Sequence, residues 1–200
     1  FNNSLVQGNY CLSNFSYTGS GNYLGNNVFP SECELFSNYV PFGNVSVYSD
    51  PCEVSLTKEH KVLFVPWMCA DNEDATKELI EKTRTKAAFG HLHLEGIEMN
   101  KGSFSMDGYP STMFKAFQRV FSGHFHHRST TGNITYLGNP YEITWSDYND
   151  KRGFHIYDTE TMETEFIENP YSMFHKIYYN DEKNDYGDLS KYEDTYVKII

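Results

Sequence analysis

Apolar positions fall into two regimes along the chain. Between about residues 62 and 123 they come as short unbroken runs; beyond that they alternate with polar residues. Val62-Leu63-Phe64-Val65-Pro66 is continuous, as expected of a strand buried on both faces. Ala87-Ala88-Phe89-Gly90 and Arg119-Val120-Phe121-Ser122 predict two more short strands, and Asn44 to Tyr48 alternates as a strand. Asp71 or Asn72 can cap a helix running to about Thr83, with Leu79 and Ile80 inward and acidic residues in its first turn. A brief helix is predicted from about Ser111 to Phe117. Asn133 to Leu137, Gly153 to Tyr157 and Thr164 to Ile167 have period two and read as successive antiparallel strands, the last two joined by a turn around Thr159-Glu160-Thr161. Strand, helix, strand and then a meander predict a layered α/β sandwich of the α+β kind.

Composition changes this picture mainly at the ends. Residues 1–43 hold Glu32 and Glu34 but no Lys or Arg, and are crowded with Asn, Gly, Ser and Tyr. That favours turns over periodic structure and predicts a loop-rich segment. Residues 44–180 carry the ordered pattern, and 181–200 read as a polar, acidic linker followed by the strand-like run Tyr192 to Ile200. The chain opens on Phe1 and ends on Val197-Lys198-Ile199-Ile200, so both ends are expected to be cuts through a longer protein. Two hundred residues, 39% apolar and 22% charged, suffice for one core.

The formal net charge of −11 argues against a module that binds nucleic acid by phosphate contacts alone. It leaves room for an enzyme whose bound cations supply the positive charge. The longest apolar run, Val62 to Cys69, is far short of a membrane span, and no signal-peptide pattern is present. Cys11, Cys33, Cys52 and Cys69 are widely spaced with no Cys-x-x-Cys pair, which fits free thiols in a reducing cytoplasm better than a zinc ribbon.

The chemistry concentrates in two histidine clusters, Gly90-His91-Leu92-His93 and Gly123-His124-Phe125-His126-His127. Each begins with Gly directly after a predicted apolar strand. That places imidazoles on loops at the carboxyl ends of strands, where open α/β sheets bind ligands. A lone Gly-His is an ordinary surface turn. Two such turns, one with a His-x-His pair, point to a divalent metal site. His155 alternates within a strand and reads as a sheet-face residue; His60 and His175 read as structural.

Ala88-Phe89-Gly90-His91 and Val120-Phe121-Ser122-Gly123-His124-Phe125-His126 resemble the last two motifs of calcineurin-like metallophosphoesterases. Val65-Pro66-Trp67-Met68-Cys69, Tyr136-Leu137-Gly138-Asn139-Pro140-Tyr141, Asn149-Asp150-Lys151-Arg152-Gly153-Phe154 and Tyr157-Asp158-Thr159-Glu160-Thr161 resemble the SbcD-type DNA repair and recombination nuclease subunits, particularly those of tailed phages. The resemblance covers about residues 44 to 180, and Tyr192 to Ile200 resembles the first strand of the DNA-binding cap that follows the catalytic domain in that family, here truncated. It implies the C-terminal half of a four-layer α/β/β/α sandwich with a mostly antiparallel second sheet. It further implies two divalent ions, usually Mn²⁺, with His91 and His124 on one and His126 on the other, and His93 and His127 as flanking residues. DNA as substrate, an SbcC-type ATPase subunit as partner, a homodimer within the complex and a location in the host cytoplasm follow from the same resemblance.

The chain also departs from that pattern. No Asp-x-His or Gly-Asp-x-x-Asp motif precedes His91, and where Gly-Asn-His-Asp or Glu is expected stands Gly21-Asn22-Tyr23-Leu24. Asn22 could coordinate through its amide oxygen. Tyr23 cannot replace the missing histidine as proton donor near neutral pH without a large pKa shift. The chain by itself is therefore expected to be inactive. A scaffold that kept the fold and lost the site, or a phosphoesterase of another substrate class, are the competing readings.

Overall fold

The computed structural model describes residues 3–5, 22–25, 45–48, 50–180 and 187–200. Three short strands, β1 (Asn3–Leu5), β2 (Asn22–Gly25) and β3 (Val45–Val47), pair in parallel in the order β1-β2-β3. Residues 3–5 and 22–25 of the stretch expected to be loop-rich are strand; the remainder of residues 1–43 lies outside the described residues.

The central sheet is built from β4 (Cys52–Ser55), β5 (Lys61–Val65), β6 (Ala87–Gly90), then β9 (Arg119–Ser122), β10 (Ser129–Thr131) and β11 (Ile134–Tyr136). The small hairpin β7 (Glu98–Asn100) and β8 (Ser103–Phe104) is inserted between β6 and β9. Strand order is β10-β11-β9-β6-β5-β4; β5, β6, β9 and β11 run parallel, and the edge strands β4 and β10 are antiparallel to their neighbours. The expectation that β11 belongs to an antiparallel meander is corrected: it joins the parallel sheet beside β9. Period-two patterning tells which face a residue occupies, not which neighbour the strand chooses or in which direction.

Alternation along β5 explains why its apolar run is unbroken. Leu63 and Val65 join a core with Ala88, Val120, Ile134 and Tyr136 on one face. Val62 and Phe64 join Ala87, Phe89 and Phe121 on the other. Each such side chain contributes roughly 1.5–3 kcal/mol by leaving water. The helix α1 (Glu73–Lys82) adds Ile80 and Leu79 to the first core. Tyr157 packs on the second, 5.1 Å from Phe89 and 5.3 Å from Phe121 between ring centres.

Tyr157 belongs to the antiparallel hairpin of β12 (Gly153–Tyr157) and β13 (Thr164–Glu168), which bears out that part of the expected meander. Its hydroxyl meets His60 Nε2 at 2.9 Å, so His60 is structural, as predicted. Strand β14 (Phe174–Ile177) pairs in parallel with β15 (Tyr196–Ile199), the strand expected within Tyr192 to Ile200. Residues 181–186 of the expected linker lie outside the described residues. The architecture is thus mixed α/β and mostly strand, with a single α-helix among the described residues. Among those residues, no helix is long and apolar enough to cross a membrane.

His155 sits on the strand face, as expected, with its ring 5.1 Å from that of Phe166. Burial first, and the charge of Arg128 second, push its pKa down to about 4. The unfolded chain therefore takes up a proton near pH 6.5 that the folded chain refuses until about pH 4. Stability should fall as pH drops through that window. His155→Phe should show a smaller loss between pH 6.5 and 5 than the parent in urea unfolding; an equal loss would remove this account.

Candidate functional site

The site begins with strand register. Val65 is opposite Gly90, Gly90 is opposite Ser122, and Ser122 is opposite Tyr136. Four parallel strands therefore end at one level, and Trp67, His91 and His124 leave the sheet there. Gly90 is required by close approach rather than by a left-handed turn. A Cβ at this position would lie 2.8 Å from Leu92 Cδ2 and 2.9 Å from the Val65 carbonyl oxygen.

Hydrogen bonds lock the turns together. Gly123 N donates to the Gly90 carbonyl at 3.2 Å, Leu92 N to Ser122 Oγ at 3.0 Å, and the buried Tyr136 hydroxyl to the Leu92 carbonyl at 2.7 Å. His124 takes φ of 81°, a conformation disfavoured for a residue with a Cβ. Strain of this kind persists where surrounding bonds over-determine the backbone, as they do here.

The rings that result are close. His91 and His124 lie 5.4 Å apart between centres, and Trp67 touches both, at 5.7 and 5.0 Å. His93 comes within 4.9 Å of His124. Burial, then the neighbouring charge of His124, holds the His91 pKa down to about 4; burial, then His93 and His126, do the same for His124. Both imidazoles are thus neutral near pH 7, the form in which imidazole binds a metal. Trp67 is held from behind by Asn72, whose Nδ2 donates to the Trp67 carbonyl at 2.9 Å while its Oδ1 accepts from Cys69 N at 2.9 Å. Asn72 stands at the N-cap position of α1, as expected, but its side chain staples this loop and makes no cap bond.

His93 is turned by a carboxylate. Its Nε2 meets Asp107 Oδ1 at 3.1 Å, with Ser105 Oγ 3.3 Å away. The second cluster is held differently. His127 Nδ1 meets Asp150 Oδ2 at 2.8 Å, and His126 Nδ1 lies 3.6 Å from Asp147 Oδ1, beyond hydrogen-bond reach but close enough for attraction. Arg152 bridges the two carboxylates, donating to Asp147 Oδ1 at 3.1 Å and Asp150 Oδ2 at 2.8 Å, and also donates to the His126 carbonyl. Asn139 N donates to that carbonyl at 3.1 Å. Gly138, with φ of 71°, lets the chain pass so near that a Cβ would sit 2.9 Å from the same oxygen.

Of the residues expected from sequence, His91 and His124 are brought together. His126 lies near enough to His124 to depress its pKa; His93 stands 4.9 Å from His124, and His127 is paired with Asp150. Asn22 falls in β2, and its side chain lies outside the described residues. Among the described residues, no three His, Cys, Asp or Glu side chains form a ready metal cluster. The donors present therefore fit part of a metal site: two neutral, adjacent imidazoles, His91 and His124, with a third, His126, two residues beyond His124 on the same turn. Sequence reasoning missed Trp67 as a wall of the site and Asp147, Asp150 and Arg152 as its supports. The charged run Asn149 to Arg152 was visible, but its pattern does not tell that Arg152 alone of the four is buried.

The chain matches no family model. It is 38% identical over 161 residues to Exonuclease subunit 1 of Enterobacteria phage T4, an alignment covering 78% of this chain and 45% of that protein. The chain is similar to a phage exonuclease subunit. It spans less than half the length of this curated relative.

Because Tyr136 Oη supplies the buried partner of the Leu92 carbonyl, Tyr136→Phe leaves that acceptor unmet. The variant should lose roughly 1–3 kcal/mol in urea unfolding. A loss within experimental error would show that the bond does not hold the His91–His93 turn.

Proposed function

We propose that this chain is part of a metal-dependent DNA phosphodiesterase, a nuclease subunit of the SbcCD type. The observation that carries the reading is the convergence of two neutral imidazoles, His91 and His124, 5.4 Å apart at the carboxyl ends of parallel strands. The similarity to a protein named as an exonuclease subunit supports it. In this reading the sheet, its helix and the hairpin packed against it are the C-terminal part of the four-layer α/β/β/α sandwich of calcineurin-like metallophosphoesterases.

His91 and His124 would hold one divalent ion and His126 a second, both Mn²⁺. Such ions supply a more acidic attacking water and offset charge on the phosphoryl oxygens. The chain's own contribution is to keep its imidazoles neutral, adjacent and walled by Trp67, with His93 and His127 oriented by Asp107 and Asp150. The carboxylate donors and the proton donor come from upstream motifs that this sequence lacks, so the chain alone is inactive in this reading. The longer protein works on DNA with an SbcC-type ATPase, as a homodimer, in the host cytoplasm.

The test uses the longer protein that includes the upstream segment. Replacing His91, His124 and His126 together by Ala should lower Mn²⁺-dependent DNA cleavage more than roughly a hundredfold, because the ions supply several kcal/mol of transition-state stabilisation. Retained cleavage would end the assignment. The lack of a ready three-ligand cluster among the described residues favours one alternative, a scaffold without catalysis. A longer protein that neither binds Mn²⁺ nor cuts DNA would establish it.

A further inference from the structure

Arg152 occupies a place where a cation is costly. Its side chain is 4% exposed and that of Asp147 is 1% exposed. Removing either charge from water costs several kcal/mol unless partners replace the solvent. Replacing such a knot with apolar side chains is often neutral or stabilising, so a bare need for stability does not explain it.

What the knot accomplishes is directional. Asp147 Oδ2 is taken up by the backbone N–H groups of Ile143 and Thr144, at 2.8 and 3.0 Å, so its Oδ1 is the oxygen turned to Arg152 and His126. Asp150 Oδ2 accepts from Arg152 and from His127 Nδ1 together. A carboxylate can only accept, so the proton of neutral His127 resides on Nδ1, and Nε2 is left as the acceptor. Meanwhile the guanidinium reaches back 26 residues to the His126 carbonyl. One planar fork therefore meets three acceptors lying in three directions, which an ammonium on a flexible stem cannot reproduce.

We propose that Arg152, with Asp147 and Asp150, is the positioning element of the His126-His127 turn, fixing the turn's backbone and the tautomer of His127. The proposal rests on the reading that His126 faces a metal site. Outer-shell carboxylates that hold metal-binding histidines are commonly worth roughly 10–100-fold in metal affinity.

The imidazole nitrogens of the metal-free 200-residue chain can be read by long-range ¹H–¹⁵N NMR, which reports the protonated nitrogen. His127 should be in the Nδ1–H form. Asp150→Ala, which removes one partly exposed acceptor and leaves Arg152 on Asp147, should release it to a tautomer mixture. Arg152→Lys, which keeps the charge and loses the fork, should shift the His126 and His127 signals and weaken Mn²⁺ binding by the longer protein roughly 10–100-fold. An Nε2–H form of His127 in the parent, or unchanged His126 and His127 signals in Arg152→Lys, would overturn the proposal. If Mn²⁺ fails to bind even the parent longer protein, the metal reading falls, while the metal-free spectra still decide the positioning role.

Discussion

The arrangement depends on one constraint: neighbouring parallel strands that stop at the same level. Val65, Gly90 and Ser122 are register partners across β5, β6 and β9. Whatever follows each of them is delivered to one edge of the sheet. Nothing about His91 or His124 alone brings them together. Their proximity is inherited from the pairing of Ala87-Ala88-Phe89 with Val120-Phe121, which is in turn enforced by burial on both faces. Slipping any of these strands by one residue would send the alternating side chains to the wrong core and scatter the imidazoles together.

The two histidine loops are held by opposite physics. The first is held by apolar packing and backbone bonds: Trp67 against two rings, Leu92 tied to Ser122 and Tyr136, and a glycine where no Cβ fits. The second is held by charge, through Arg152 and two aspartates. Burial keeps the first pair of imidazoles uncharged, whereas carboxylates orient His127 and attract His126. The site thus joins a dry side to a polar one, and His124 stands between them with its unusual backbone angle.

Much of this was legible in the residues. The strands at 62–65, 87–90 and 119–122 are readable because burial on both faces leaves no polar position to interrupt them. The helix shows through its acidic first turn and paired Leu79 and Ile80. Gly90-His91 and Gly123-His124 stand out because each follows such a strand. The parallel placement of Ile134 to Tyr136 was not legible, since a three-residue strand carries face information but no partner information. Nor was the role of Asp147, Asp150 and Arg152. Arg152 is buried while bonding to a loop far back in sequence, and charge without that contact looks like surface. Trp67 stood in the open within a noted motif, but only the register shows what it walls.

The dependence of His126 on Arg152 also imposes an order on assembly. Strands β5 through β11 and the first imidazole pair lie entirely before residue 137, so a chain emerging from the ribosome can form them early. The second loop receives its guanidinium 26 residues later. Until that stretch emerges and docks, the half-built fold would hold its first imidazoles while the backbone of the second turn still lacks its guanidinium partner.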